Sequence, residues 1–209
     1  MTAQRPPQPE CLPEFEHVNR YWDRTQNLWV AKILPGEYYV TTYPGEVVAT
    51  TLGSCVSACI RDKVFGIGGM NHFMLPVKSE HASDDWMDSA TRYGSYAMEH
   101  LINDILKNGG NRNNLEIKLV GGGKIMKNMS DIGARNIAFI LEYVQTENID
   151  VSAQDLGKNY PRKVLYYPET GRMRVKKLQP LHNDTLLQRE QAYQHELDVQ
   201  PDSGGIELF

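Results

Sequence analysis

The sequence predicts an α/β fold: a single mixed α/β layered domain, strand-rich with two main helices and flexible N- and C-terminal extensions. Three observations lead there. Short apolar runs bounded by glycine, proline or charged residues recur through residues 30–75 and 115–178, the pattern of strands between turns. Two segments, 88–108 and 132–146, instead repeat apolar residues at helical spacing. A hydrophobic content of 41% in 209 residues is enough for one substantial core. The domain is expected over 30–178, with an N-terminal extension over 1–29 and a C-terminal tail over 179–209.

In chain order, the first segment carries Pro6, Pro7, Pro9 and Pro13 without periodicity, so it is expected to be mobile or laid across the surface. Tyr21, Trp22 and Trp29 supply aromatic material to dock part of it. Strands are read at 30–41 and 45–51, then at 55–60 and 67–75, the last two joined by a turn containing Arg61, Asp62, Lys63 and Gly66. The helix over 88–108 is built on Tyr93, Ala97, Leu101, Ile102 and Ile105 and stops at Gly109-Gly110. A strand at 115–120 runs into Gly121-Gly122-Gly123-Lys124. A phosphate loop would need glycine where Lys118 stands and Ser or Thr where Ile125 stands, so these glycines are read as close backbone packing near the site. The second helix, over 132–146, has Ile132, Ile137, Ile140, Tyr143 and Val144 on its apolar side and Asp131 as its cap. Strands follow near 149–153, 163–167 and 172–178, the last two joined by the turn Pro168-Glu169-Thr170-Gly171. The polar tail holds a short helix over 184–197. Ile206, Leu208 and Phe209 then follow Gly204-Gly205 and are read as a frayed end, with a docking peptide as the alternative.

Composition narrows the function. A net charge of −4 does not advertise nucleic acid. The one basic run, Arg172, Arg174, Lys176 and Lys177, alternates with Met173 and Val175 as a solvated strand face does. The three cysteines, Cys11, Cys55 and Cys59, are odd in number and absent from the second half, which points to a reducing, cytoplasmic setting. No signal pattern opens the chain and no apolar run approaches the ~20 residues that span a bilayer, so no membrane insertion is expected.

The chemistry centres on Cys55 and His72. A turn centred near Lys63 and Val64 places Cys55 opposite a residue between His72 and Met74, and facing residues in an antiparallel pair lie about 4.5–5.5 Å apart at Cα. An imidazole at that range can take the thiol proton and later protonate a leaving group. Gly53 and Ser54 just before the cysteine let backbone N–H groups approach a substrate carbonyl, which makes both candidate substrate-binding residues.

The blocks Leu52-Gly53-Ser54-Cys55-Val56-Ser57-Ala58-Cys59, Gly68-Gly69-Met70-Asn71-His72-Phe73-Met74-Leu75-Pro76 and Ile132-Gly133-Ala134-Arg135-Asn136 stand in that order. With Leu34-Pro35-Gly36-Glu37-Tyr38-Tyr39-Val40-Thr41 before them, they resemble the CheD family of chemoreceptor glutamine deamidases, over about residues 33–178. The resemblance implies hydrolysis of glutamine side-chain amides to glutamate, with Cys55 as nucleophile and His72 as general acid/base. It also implies the cytoplasmic domains of chemoreceptors as substrates, a CheC-like regulatory protein as a partner, and no cofactor. The family pattern has an active-site threonine six residues before the cysteine, where this chain has Ala49. Thr50 and Thr51 follow. On a regular strand Thr51 shares the face of Cys55, so it is the expected third residue, although a bulge before Gly53 would favour Thr50.

Two rival readings stand beside this one. Cys55, Cys59 and His72 could ligate zinc, but a structural site wants four such ligands and no Cys-x-x-Cys pair is present; Cys59 is read as a packing residue. The other rival is a chemotaxis adaptor that keeps the fold without the activity, a reading that the missing threonine at 49 keeps open.

Overall fold

The computed structural model describes residues 5–76, 86–125, 132–179 and 184–199. Two five-stranded sheets form the centre. One runs β1-β2-β4-β9-β10, from strands Asn19–Asp23, Leu28–Lys32, Val47–Leu52, Arg162–Tyr167 and Arg172–Lys177. The other runs β3-β6-β5-β7-β8, from Tyr38–Thr41, Gly68–Asn71, Val56–Asp62, Leu115–Gly121 and Val151–Leu156. Helices α1 (Trp86–Lys107) and α2 (Ile132–Thr146) pack on the second sheet, and α3 (Asp184–Val199) lies near the C-terminal end. The expected mixed α/β layered fold is the one observed.

Helix α2 occupies the predicted span, because Ile132, Phe139, Ile140, Tyr143 and Val144 give it one continuous buried side. The hairpin is also as read. Cys59 faces Met70, Arg61 faces Gly68 and Val56 bridges Phe73, so extending the register by one sets Cys55 opposite Met74.

One strand expectation is corrected. Residues 30–41 do not form a single strand; β2 joins the first sheet in parallel with β4, whereas β3 pairs with β6 in the second. Between them Pro35 removes a backbone donor and Gly36 takes φ 84°, a conformation most side chains resist. The chain therefore crosses from one sheet to the other. This crossing holds the histidine strand: Gly36 N–H donates to the His72 carbonyl at 2.8 Å, and His72 N–H donates to the Glu37 carbonyl at 2.9 Å.

The flanking segments enter the same hydrophobic cluster as the centre. Phe15 and Val18 from the N-terminal side and Tyr193 and Leu197 from α3 are all buried in it. The residue 29/30 boundary falls inside β2, whose hairpin with β1 brings Arg20 to the buried Glu46 at 2.9 Å. Glu46 also accepts from Tyr39 and Thr41 hydroxyls at 3.0 and 2.7 Å, so its charge is paired and hydrogen-bonded, as burial demands. Trp29 Nε1 donates to the Pro7 carbonyl and an Arg20 nitrogen to that of Pro9, laying the proline-rich segment over this sheet. The apolar end at 206–209 and the Asp131 cap lie outside the described residues.

Candidate active site

Strand β4 ends at Leu52, and the chain leaves it through Gly53 and Ser54 before β5 begins at Val56. Three carbonyls of this loop are taken from one direction. Gly122 N–H donates to Cys55 O at 2.7 Å, Gly123 N–H to Gly53 O at 2.8 Å, and Asn136 Nδ2 to Ser54 O at 2.9 Å. The triple-glycine run thus packs against the cysteine loop, as its sequence suggested. Asn136 also accepts from Leu75 N–H at 2.9 Å, tying the cysteine loop to the chain just past His72.

With the carbonyls held on one side, the loop's N–H groups converge on the other and form an anion-binding nest. They hold the carboxylate of Glu190, from α3. Gly53 N–H donates to one oxygen at 2.8 Å and Cys55 N–H to the same oxygen at 3.3 Å. Ser54 N–H and Oγ donate to the other at 2.9 and 2.7 Å. Gly53 is required here, since a Cβ would lie 2.7 Å from one Glu190 oxygen and 2.2 Å from Ile125 Cδ1.

Cys55 and His72 are both buried, with exposures of 0% and 1%. The Cys55 sulfur, a ring nitrogen of His72 and a Glu190 oxygen all lie within 4.8 Å of one another. Thr50, rather than the expected Thr51, meets the imidazole, its Oγ lying 2.7 Å from His72 Nδ1. Parity favoured Thr51 only while the strand stayed regular as far as Cys55, and it ends three residues earlier, at Leu52. Thr51 instead lines, with Thr50, Ile33, Leu34 and Leu186, a cleft that reaches His72.

Thr50 also fixes the imidazole tautomer. Its hydroxyl carries one hydrogen, which goes to the Ile33 carbonyl at 2.9 Å because a carbonyl only accepts. Toward His72 the hydroxyl is therefore the acceptor, and Nδ1 carries the ring proton. Nε2 is left with its lone pair, buried and without a hydrogen-bond partner among the described residues. That is the state a base needs before it takes a thiol proton.

Burial pushes the Cys55 thiol well above its ordinary 9.0, and the adjacent Glu190 carboxylate adds to the rise by its charge and by a hydrogen bond. Burial alone lowers His72 from 6.5 to about 3. The pair therefore rests as neutral thiol and neutral imidazole. The linkage has a definite sign. Between 6.5 and about 3 the unfolded histidine binds a proton that the folded one refuses, so stability falls as pH drops through that range. Above 9.0 the unfolded cysteine ionises while the folded one does not, so stability falls again as pH rises. Thermal midpoints measured against pH are expected to plateau between these limits, and His72→Ala to flatten the acid side.

Cys59 is buried in β5 with its Sγ 3.9 Å from Met173 Sδ of β10, a packing position between the two sheets and away from the Cys55 cluster. Glu190, not Cys59, completes a trio with metal-ligand chemistry. Both Glu190 oxygens already accept two protein donors each, so a metal would have to compete with the nest for the carboxylate.

A thiol beside an imidazole of fixed tautomer, with converging N–H donors at the thiol, makes up the centre of a cysteine-dependent acyl-transfer enzyme. Comparison with known sequences specifies it. Residues 74–177 match the family described as CheD chemotactic sensory transduction. The chain is 54% identical over 204 residues to the probable chemoreceptor glutamine deamidase CheD of Halorhodospira halophila, covering 96% of this chain and 94% of that relative. It is 48% identical over 210 residues to the protein of the same description from Hahella chejuensis, covering 100% and 99%. For that of Methylobacillus flagellatus it is 52% over 194 residues, covering 92% and 95%. The chain belongs to the CheD family.

Two positions at this site lay outside the sequence reading. Asn136 stood in a recognised block without a role, and its side chain proves to bridge the cysteine loop and the histidine strand. Glu190 gave no signal, because it sits more than 130 residues from the nest it fills.

Proposed function

We propose that this protein is a chemoreceptor glutamine deamidase, hydrolysing glutamine side-chain amides of methyl-accepting chemotaxis receptors to glutamate with release of ammonia. The observation that carries the reading is the buried cluster of the Cys55 thiol and the His72 imidazole, whose Nε2 has no hydrogen-bond partner among the described residues, beside a nest of three N–H groups. His72 Nε2 takes the thiol proton, and Cys55 Sγ attacks the carboxamide carbon. The oxyanion forms in the nest of Gly53, Ser54 and Cys55, where fixed donors stabilise developing charge without reorganising. His72 passes its proton to the departing ammonia, leaving a thioester. It then activates water, which opens the thioester and frees the glutamate and the thiol.

Receptor cytoplasmic domains are the substrates in this reading, a CheC-like protein is the regulatory partner, and the cytoplasm is the site of action. No described helix is long and apolar enough to cross a membrane. Mass spectrometry of a purified receptor cytoplasmic fragment after incubation tests the activity: amide-to-acid conversion at glutamine supports it, and unchanged peptides after incubation with folded protein end it.

Thr50 is the positioning residue for the base. Thr50→Val keeps the shape and removes the acceptor that holds the proton on Nδ1, so ammonia release is expected to fall by ~10-fold or more, the scale of a lost hydrogen bond to a group that becomes charged. Thr50→Ser is expected to restore most of the rate. Thr51→Ala is expected to change it little; the reverse order in the two steady-state measurements would return the role to Thr51.

A further inference from the structure

The least explained group at the site is Glu190. On α3 the buried residues are Leu186, Glu190, Tyr193, Gln194 and Leu197, one face of the helix at spacings of three and four. That face lies over the reaction centre. Tyr193 packs on the sheet crossing, its ring 3.1 Å from where a Cβ on Gly36 would be, and its hydroxyl hydrogen-bonds that of Tyr93 on α1. Between these contacts Glu190 lowers its carboxylate into the nest and takes four donors. A glutamate produced by deamidation has the same side-chain length and, when formed at Cys55, the same donors around its carboxylate.

We propose that α3 is a built-in product analogue: it lies in the groove that a substrate helix uses, holds Glu190 where the product glutamate forms, and must leave before a receptor glutamine reaches Cys55. The proposal rests on the deamidase reading and adds its resting control. The groove accepts a side chain presented from one face of an α-helix, because α3 presents one that way. It favours the carboxylate over the carboxamide. All four donors point at oxygens, and an amide NH2 in place of the second oxygen would face Ser54 N–H, with only the Ser54 hydroxyl free to turn and accept from it. The occupied nest also leaves no donor for an incoming carbonyl, so the resting enzyme is closed to substrate.

Glu190→Gln in the full chain tests this, because it places a carboxamide in the nest without changing shape. Cys55 Sγ would bond to the carboxamide carbon, the C–N bond would break with His72 protonating ammonia, and water would open the thioester. One water is consumed and one ammonia released, and residue 190 becomes glutamate. Peptide mass spectrometry is expected to find this conversion in the variant, at a rate independent of protein concentration, and to find none in the Cys55→Ala/Glu190→Gln double variant. Glu190→Ala, which empties the nest, is expected to raise kcat/KM for a receptor cytoplasmic fragment by about tenfold or more, the scale of losing charge-assisted hydrogen bonds that hold the helix down. Leu197→Ser, which loosens α3 without touching the nest, is expected to move it in the same direction. An unconverted amide at 190, or unchanged kcat/KM in both loosened variants, overturns the proposal if the wild type deamidates the fragment. If neither the wild type nor Glu190→Ala releases ammonia from the fragment and the amide at 190 persists, the deamidase reading itself falls.

Discussion

Cys55→Ala is expected to release no ammonia from a receptor cytoplasmic fragment while keeping the fold. The expectation rests on what remains after the sulfur is gone. The nest of N–H groups and the lone pair of His72 persist, so substrate carbonyl polarisation and a base for water are still present. Removal of a covalent nucleophile, however, takes away the division of one difficult step into two easier ones. Because the thiol is buried and neutral at rest, its loss removes no charge and no ion pair, and the thermal midpoint should move little. A rate above background in this variant, measured by ammonia assay with folding checked by circular dichroism, would remove the thioester from the mechanism.

His72→Ala carries the second largest effect, a fall in turnover of at least ~10²-fold, the contribution of a positioned acid/base group. The mutation does more than delete a base. It leaves Thr50 Oγ without the donor it accepts from and opens a hole under the cleft, so some activity loss could be structural. The pH profile separates the causes. In the wild type, loss of activity in acid reports the imidazole taking a proton before it can act, and in the variant that limb should vanish even from the residual rate. A variant that keeps wild-type turnover would end the assigned role.

Much of this arrangement was legible in the chain, and the limits are physical. The hairpin that pairs Cys55 with the His72 strand follows from a short charged turn and strand parity, and the register bears it out at Val56 and Phe73. Helix α2 was legible because its apolar side is unbroken. Parity failed at Thr51 because it is a property of continuous strand, and Gly53 and Ser54 end that continuity just before the cysteine. The split of residues 30–41 was missed for a related reason: a strand pattern reports which side chains are buried, but not which sheet buries them, and here both halves are buried in different sheets. The helix over 184–199 was half seen. Its inward face includes the polar Glu190 and Gln194, so no continuous apolar stripe marks it in the chain, and a nest of donors beneath Glu190 is what lets that carboxylate be buried.

The crossing at Pro35 and Gly36 reaches beyond local geometry. Thr50 belongs to a strand of one sheet and His72 follows a strand of the other, while Cys55 sits on the link between the sheets. The reaction centre therefore works as a gauge of how the two sheets are aligned. A slip along their shared interface, too small to unpair a single ladder, would part hydroxyl from imidazole while the Val56–Phe73 bridge keeps imidazole and thiol together. Substitutions in the packing between the sheets, at Cys59 or Met173 for example, thus bear on catalysis through alignment, with no change to any reacting group.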